Sequence, residues 1–445
     1  MIHSVREMGQ RALVIEVTAE KDRPRLSEHL QENPFPGQVE LIPGARTVLV
    51  DFRRRRDAQA ALKLARRLKL RRRRAGSADS PLPEDPVRPA VSLPESYVEC
   101  APLHDREAVV EVLCVGPDDS AVAKAETTGP AARVLIQDIG RYGFGDRGLG
   151  RSGSVDLAAA RQANRLVGND DSAAVFEVCS GEFSMRICQT SILAVTGAEL
   201  SMEVITEEPV QNFRGGQEAA RTASRSRSAP VRAPFWVFPG ETLHLRGVHR
   251  GVYSYVGISG GLDVPLQLGS ASTDTAAGIG PEPVQVGHRF GLSGAASRFV
   301  GIASVAPTPL PELEGATVLR YVPGPRAEFF GTRRAASAGL SRLESQPWEA
   351  VRSSGRAALL LDGDDPIQRT MAEPMPPEPL LRGAITVSSS GQPTVALAEH
   401  PVTSADPVLG VVVREDLALA AQLSAGAQVR FQAVDPEALG AVRTR

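Results

Sequence analysis

From Arg133 onward, apolar residues come in runs of strand length set apart by Gly, Pro, Asn and Ser, and only one stretch repeats at helical spacing. A chain patterned this way must satisfy its backbone between strands, which indicates barrels or sandwiches. The runs are 175–178, 183–187, 192–196, 252–258, 317–322, 384–387, 395–398, 408–413 and 429–434. Turn chemistry agrees, with 41 Gly and 34 Pro against 13 Phe, 5 Tyr and 2 Trp. Ser180-Gly181 between the first two runs predicts a hairpin, across which Cys179 and Cys188 would face each other as reduced thiols. The helical stretch begins near Ser154 or Asp156, both good N-caps. It presents Ala159, Ala163, Leu166 and Val167 on one face and stops at Gly168-Asn169.

The first 74 residues read as a small α/β lobe. Residues 12–17 and 47–52 are strand-length apolar runs, with Pro34, Pro36, Gly37, Pro43 and Gly44 punctuating the path between them. Ala58, Leu62, Ala65 and Leu68 predict an amphipathic helix over 57–70. Arginine runs at 53–56 and 71–74 flank it, yet no aromatic residue lies between them for a base to stack on. A solvated helix face leading into a basic linker is the reading, with no nucleic-acid partner. Residues 75–90 are a linker by composition, and 211–229 read as a long surface loop.

Several chemistries are excluded. The formal net charge of −2 provides no global field for nucleic acid or an anionic membrane. No run reaches the roughly 18 apolar residues of a membrane span, and the first residues lack a signal peptide's apolar region, so a cytoplasmic protein is expected. The four cysteines form no CxxC pair, and the seven histidines form no HxxxH or HExxH, so no metal site is expected. Lysine occurs only at 21, 63, 69 and 124; this removes the P-loop, and none of the four sits in a biotin-attachment setting. Two overlapping GxGxxG strings span Gly143–Gly148 and Gly148–Gly153. A Rossmann glycine turn joins strand to helix directly, whereas here the strand at 134–136 lies some twenty residues before the helix. The densest polar cluster is Gln137, Asp138 and Arg141 with Ser152 and Asp156, a set suited to holding an amide or carboxylate.

The string Val134-Leu-Ile-Gln-Asp-Ile-Gly-Arg-Tyr-Gly143, then Ser152-Gly-Ser-Val-Asp156 and Ala163-Asn-Arg-Leu-Val-Gly-Asn169 with Ala174–Glu177, resembles the family of the 5-oxoprolinase C component. That family is also the carboxyltransferase A/B region of biotin-dependent urea amidolyase. The resemblance continues through Ser259–Pro265, Leu268–Asp274, Val322–Pro325, Arg382–Val387 and Glu399-His-Pro-Val-Thr403, covering roughly 129 to 435. Gly9–Glu16 and Leu41–Val50 resemble the B component of the same enzyme, the carboxyltransferase C/D region. Of the cyclophilin-like barrel that follows there, only Val91–Tyr97 and a helix at 107–115 would remain, so the fusion looks internally truncated. The family's TGGYP turn stands as Thr403-Ser-Ala-Asp-Pro407, where Ser404 and Ala405 would restrict backbone approach to a ligand.

The resemblance implies a mainly β (α+β) chain of tandem cyclophilin-like barrel halves, 129–305 and 306–435, preceded by the lobe at 1–74 and a linker and remnant at 75–128. It also implies ATP-dependent opening of the lactam 5-oxoproline to glutamate in an oligomer with a separate 5-oxoprolinase A component. Asp138, Arg141, Asp156 and Glu177 are the expected catalytic residues. Asp138 or Asp156 would act as base, and Arg141 or Arg356 as anion holder. Gln137, Ser152, Asp274, Arg356, Glu378, His400 and Thr403 are the expected substrate-binding residues. Two other expectations follow from the same likeness: biotin-dependent carboxyl transfer to urea or another amide, and a non-catalytic regulator of a sensor histidine kinase.

Overall fold

The computed structural model describes residues 2–68, 108–117, 134–210, 221–294, 300, 308–331, 338–353, 355–371 and 375–436. The lobe contains β1 (Ile2–Met8), β2 (Ala12–Val17), α1 (Arg23–Glu32), β3 (Gln38–Pro43), β4 (Thr47–Phe52) and α2 (Arg55–Ala65). Its antiparallel sheet runs β1-β2-β4-β3. The apolar runs of β2 and β4 are nearly continuous because both sheet faces are covered. On one face Leu13, Ile15, Val48 and Val50 pack against Leu26 and Leu30 of α1 and Ala58 and Ala61 of α2. On the other, Ala12, Val14 and Leu49 pack against Leu380, Ala384 and Val411 of the C-terminal region. The lobe is therefore seated on the rest of the chain by a shared core.

The middle region comprises β5 (Val110–Pro117), β6 (Val134–Gln137), α3 (Leu157–Leu166), β7 (Val175–Cys179), β8 (Gly181–Ile187), β9 (Ser191–Val210), β10 (Arg221–Ser228), β11 (Phe235–Val237), β12 (Thr242–Ile258) and β13 (Arg289–Phe290). These strands form one nine-stranded sheet with the long β9–β12 pair at its centre. Three local expectations are corrected here. Residues 175–187 are not a hairpin: β7 pairs with β12 at 253–256 and β8 with β12 at 242–245, so the two lie end to end along one strand. Ser180, at φ +31°, joins them. Cys114, Cys179 and Cys188 form no disulfide among the described residues. The helix expected at 107–115 is strand β5, in which Val110 and Val112 alternate inward against β8. Part of the presumed loop at 211–229 is β10, pairing with residues 203–210 of β9. Residues 91–97, 71–74 and 211–220 lie outside the described residues.

The C-terminal region adds β14 (Ala316–Pro323), α4 (Ala338–Ser345), β15 (Trp348–Ser353), β16 (Ala358–Asp362), β17 (Glu378–Pro379), β18 (Ala384–Val387), β19 (Pro393–Ala396), β20 (Thr403–Ser404), β21 (Val408–Val412), α5 (Leu417–Ala421) and β22 (Gln428–Ala433). Seven of the strands close into a barrel in the order β14-β21-β18-β19-β16-β15-β22, with β14 and β22 parallel. Closure removes the sheet edges, and Trp348, Tyr321, Leu409 and Phe431 fill the interior. The mainly β expectation holds, although only the second half closes. No helix among the described residues is long and apolar enough to cross a membrane.

α3 lies between the halves, with Ala159, Ala160 and Ala163 in the same core as the barrel. Gln422, at 0 % exposure just past α5, fastens that seam. Its Oε1 accepts the backbone N–H groups of Val252 and Tyr253 at 2.8 and 2.9 Å. Its Nε2 donates to Asp156 Oδ2 and to the Tyr253 carbonyl, both at 2.9 Å. Replacing it by Leu leaves two buried amides and a buried carboxylate without that partner. Each orphaned group costs about 1–3 kcal/mol, so Gln422→Leu is expected to lower the urea midpoint by the equivalent of about 3 kcal/mol or more. An unchanged midpoint would show that the seam relaxes around the loss.

Candidate active site

The residues from Asp138 to Asp156 form a loop with a closed neck. Ser154 N donates to the Asp138 carbonyl at 3.0 Å and Arg141 N to the Arg151 carbonyl at 2.8 Å. The two sides approach so closely that only glycine fits. A Cβ on Gly140 (φ +86°) would sit 2.7 Å from the Arg151 oxygen, and one on Gly153 (φ +81°) 2.8 Å from Gly140 N. Ser152 between them holds φ +53°, a conformation that serine rarely adopts and that is retained where surrounding contacts impose it. The side chain of Arg151, beside the neck, reaches the lobe: it binds Glu40 and Asp51 at 2.6 Å each and lies over the Tyr142 ring.

At the neck sits a buried ion cluster. The Arg356 guanidinium binds Glu177, Glu399 (Nε to Oε1, 2.8 Å) and the Gly153 carbonyl. Glu177 Oε2 accepts from Val155 N and from the Tyr255 hydroxyl, both at 2.8 Å. Glu399 also accepts from Ser152 Oγ at 3.3 Å and from Thr275 N at 3.1 Å. Burial would raise the Glu399 carboxyl, but Arg356 and the Thr275 hydrogen bonds outweigh it and hold it low. Burial pulls the Arg356 guanidinium down, with Glu399 pulling it back.

The sequence-predicted residues fall into three groups. Glu177, Arg356 and Ser152 meet in this cluster. Beside it, the Asp138 carboxylate takes Gly140 N and Ala271 N at 2.7 Å, together with the hydroxyls of Ser270 and Ser272, and shapes the 270–274 turn. Asp156 caps α3 by accepting Ala159 N at 2.9 Å, and burial raises its carboxyl. Gln137 donates to the Thr273 carbonyl at 2.8 Å, and Arg141 to that of Ser272. Gln137 Oε1 and Arg141 Nε and Nη1 are buried without a hydrogen-bond partner among the described residues. Asp274 accepts Ala276 N and Ala277 N; burial raises it, with nearby Glu399 adding to the effect. A third group stands apart. Glu378 binds Arg326 in a different cavity, so it does not share the groove with the others. Thr403 pairs with Pro379 in the two-stranded β17–β20 sheet.

The amides at the start of α3 are consumed by Glu177, by Tyr255 (from Asp156 N, 2.7 Å) and by the Asp156 cap. The glycine strings lie in the loop that precedes this helix. Open space lies instead where loop, lobe and barrel meet, in a cavity of about 560 Å³. Arg11, Arg151, Arg161, Arg165, Arg382 and Arg414 line it against only three carboxylates, Glu40, Asp51 and Glu415. Arg382 donates to the carbonyls of Ser154 (3.2 Å) and Val155, while its Nε is buried with no partner among the described residues. His400 lines the same cavity and shares a hydrogen bond between Nδ1 and the Pro401 carbonyl at 2.8 Å. With the proton on Nδ1, Nε2 is left as an acceptor. Sequence reasoning did not single out Glu399, Arg382 or Gln422. The first two lie in the quoted Glu399-His and Arg382-Gly strings, whereas nothing in the local sequence marks Gln422. No group of three His, Cys, Asp or Glu side chains suited to a metal occurs among the described residues.

Comparison with known proteins follows the same division. Residues 147–433 match the family described as carboxyltransferase domain, subdomain A and B, and residues 3–119 match carboxyltransferase domain, subdomain C and D. The chain is 29% identical over 301 residues to the 5-oxoprolinase C component of Escherichia coli, covering 67% of this chain and 87% of that protein. It is 35% identical over 157 residues to urea amidolyase of Saccharomyces cerevisiae, covering 35% of this chain and 7% of that one. Among solved structures, TTHA0988 superposes with a TM-score of 0.65 at 22% identity, covering 95% of this chain and 99% of that one. The urea amidolyase of K. lactis gives a TM-score of 0.57 at 20% identity, covering 87% of this chain and 22% of that one. Both structural likenesses concern the fold.

Burial lowers the His400 imidazole to about 4; its bond to Pro401 opposes the shift, and Arg382 and Arg151 add to it. The unfolded imidazole titrates near 6.5, so between roughly pH 6.5 and 4 the unfolded chain binds the extra proton. Stability should therefore be complete above about pH 6.5 and fall as the pH drops towards 4. His400→Gln is expected to flatten this part of a plot of Tm against pH relative to the parent; parallel plots would show that His400 titrates normally.

Proposed function

The chain belongs to the carboxyltransferase-domain family of subdomains A and B, and on that premise we propose that it is one component of an ATP-dependent 5-oxoprolinase. It would open 5-oxo-L-proline to L-glutamate in the cytoplasm, in a complex with a separate A component. The lobe is then a shortened counterpart of the B component carried on the same chain. One observation carries the reading: a cavity with six arginines and three carboxylates surrounds a histidine whose Nε2 is free to accept.

The substrate's chemistry matches those groups. Its carboxylate is an anion for the arginine wall, where Arg382 Nε still has a donor to give. Its ring N–H is a donor for His400 Nε2, and an imidazole held neutral keeps that acceptor available at neutral pH. Ring opening must overcome amide resonance, and ATP supplies a phosphoryl group that activates the lactam carbonyl. No lysine of the sequence is placed for a P-loop. The nucleotide is therefore assigned to the A component, and this chain's part is to bind and orient the lactam while the loop and lobe exclude water. The buried carboxylates of Asp138 and Asp156 keep the wall of that cavity in place; His400 and Arg382 touch the substrate.

Purified protein with the host's A component should release glutamate from 5-oxoproline only when ATP and both proteins are present. His400→Ala should lower kcat/KM by about 10- to 100-fold through the lost hydrogen bond, with the fold intact by circular dichroism. No glutamate from folded protein, beside a working control of three separate components, would overturn the reading. The higher identity to urea amidolyase favours a second reading, carboxyl transfer from carboxybiotin to an amide nitrogen. That reaction needs a biotinylated partner, so streptavidin capture of the chain from its host distinguishes the two.

A further inference from the structure

A second cavity of about 500 Å³ lies at the seam between lobe and barrel, walled by Phe329, Met371, Met375, Pro376 and Pro377. Its polar groups come from two directions. Glu16 on β2 and Thr47 on β4 are directly paired across the lobe sheet. Arg326 and Glu378 face them from the barrel side, Arg326 bonding Glu378 through Nε at 2.9 Å and Glu16 through Nη2 at 3.2 Å. One guanidinium thus serves two carboxylates next to an apolar wall, and Arg46 is the second cation of the lining. Thr47 is 1 % exposed, yet its Oγ1 has no hydrogen-bond partner among the described residues. Arg46 beside it is exposed and forms no ion pair among the described residues.

We propose that this cavity binds an α-amino acid with an apolar side chain. The Glu16–Glu378 pair takes the ammonium group, Arg46 the carboxylate and Thr47 Oγ a third hydrogen bond. Phe329, Met371 and Met375 receive the side chain, the adaptable thioethers accommodating its shape. The volume is that of a small-molecule site. The buried hydroxyl of Thr47 is costly while unpaired and is satisfied when such a ligand is present.

Titration calorimetry of the full chain with L-leucine and L-methionine is the test. Saturable binding is expected for both, with N-acetyl-L-leucine, which lacks the ammonium charge, at least about tenfold weaker. Thr47→Val keeps the volume and removes the hydroxyl; Arg46→Ala changes an exposed side chain and keeps the test open should the first variant not fold. Each should weaken binding by about five- to tenfold. Absence of heat with both amino acids at millimolar concentration, equal binding of the N-acetyl form, or an unaffected Arg46→Ala would each overturn the proposal. The glutamate assay reads the other cavity, so either result leaves the lactam reading where it stands.

Discussion

The buried contact of Arg356 with Glu177 and Glu399 decides how the two halves of this chain meet. Glu177 belongs to the middle sheet, Glu399 and Arg356 to the barrel region, and the Gly153 carbonyl to the loop between strand and helix. A guanidinium has five donors in a fixed plane, so three acceptors bound to one guanidinium fix the orientation as well as the distance of each segment. Removing one partner of such a buried pair typically costs about 3–5 kcal/mol, because the other charge stays in low dielectric. The effect spreads through the remaining hydrogen bonds of each carboxylate. Glu177 uses its own to bind Val155 N and Tyr255, which sets where α3 starts. Glu399 extends its reach to Ser152 and Thr275.

This arrangement separates residues that resemble catalytic groups from residues with room to act. Asp138, Asp156 and Glu177 are carboxylates in a glycine-lined setting, the composition expected of acid–base chemistry. Each also accepts hydrogen bonds from backbone and neighbouring side chains that define the loop. His400 and Arg382 stand where these supports end and the cavity begins. Arg382 serves both sides, holding the Ser154 and Val155 carbonyls while keeping one donor unused.

What was legible in the sequence follows from how local each signal is. The helix at 157–166 and its Asp156 cap are written in adjacent residues, and the structure places both as expected. Strands β18 and β21 announce themselves by apolar runs because they are buried on both faces, and β22 by alternation, with Val429, Phe431 and Ala433 buried. β10, whose sequence is Arg-Thr-Ala-Ser-Arg-Ser-Arg-Ser, has no such run: it is a strand only because β9 extends far enough to pair with it. β7 and β8 read as a hairpin because Ser180-Gly181 is turn-like, but the length of β12 allows both to pair along it in sequence. At the site, several residues of the quoted motifs come together around the loop's neck, whereas the partners of Gln137, Asp138 and Arg356 lie more than a hundred residues away. Gln422, which completes the Asp156 carboxylate, lies 266 positions from it.

The same logic explains why the lobe is part of the site and not an appendage. Glu40 and Asp51 are 5 % and 2 % exposed, and the cation that satisfies both, Arg151, belongs to the glycine-rich loop of the following region. Detaching the lobe would leave two carboxylates facing an apolar seam and one arginine without partners, in addition to exposing the core shared by Val14, Leu49, Leu380 and Val411. The loop in turn needs the lobe: its tip meets Glu40 through Gly145 N at 3.3 Å and Gln31 through Asp146 at 3.2 Å, and Arg151 adds its two ion pairs to the same lobe. A cavity walled by lobe, loop and barrel therefore takes its shape from all three, and its arginine excess exists only in the assembled chain, since Arg11 comes from the lobe, Arg151 from the loop and Arg382 from the barrel region.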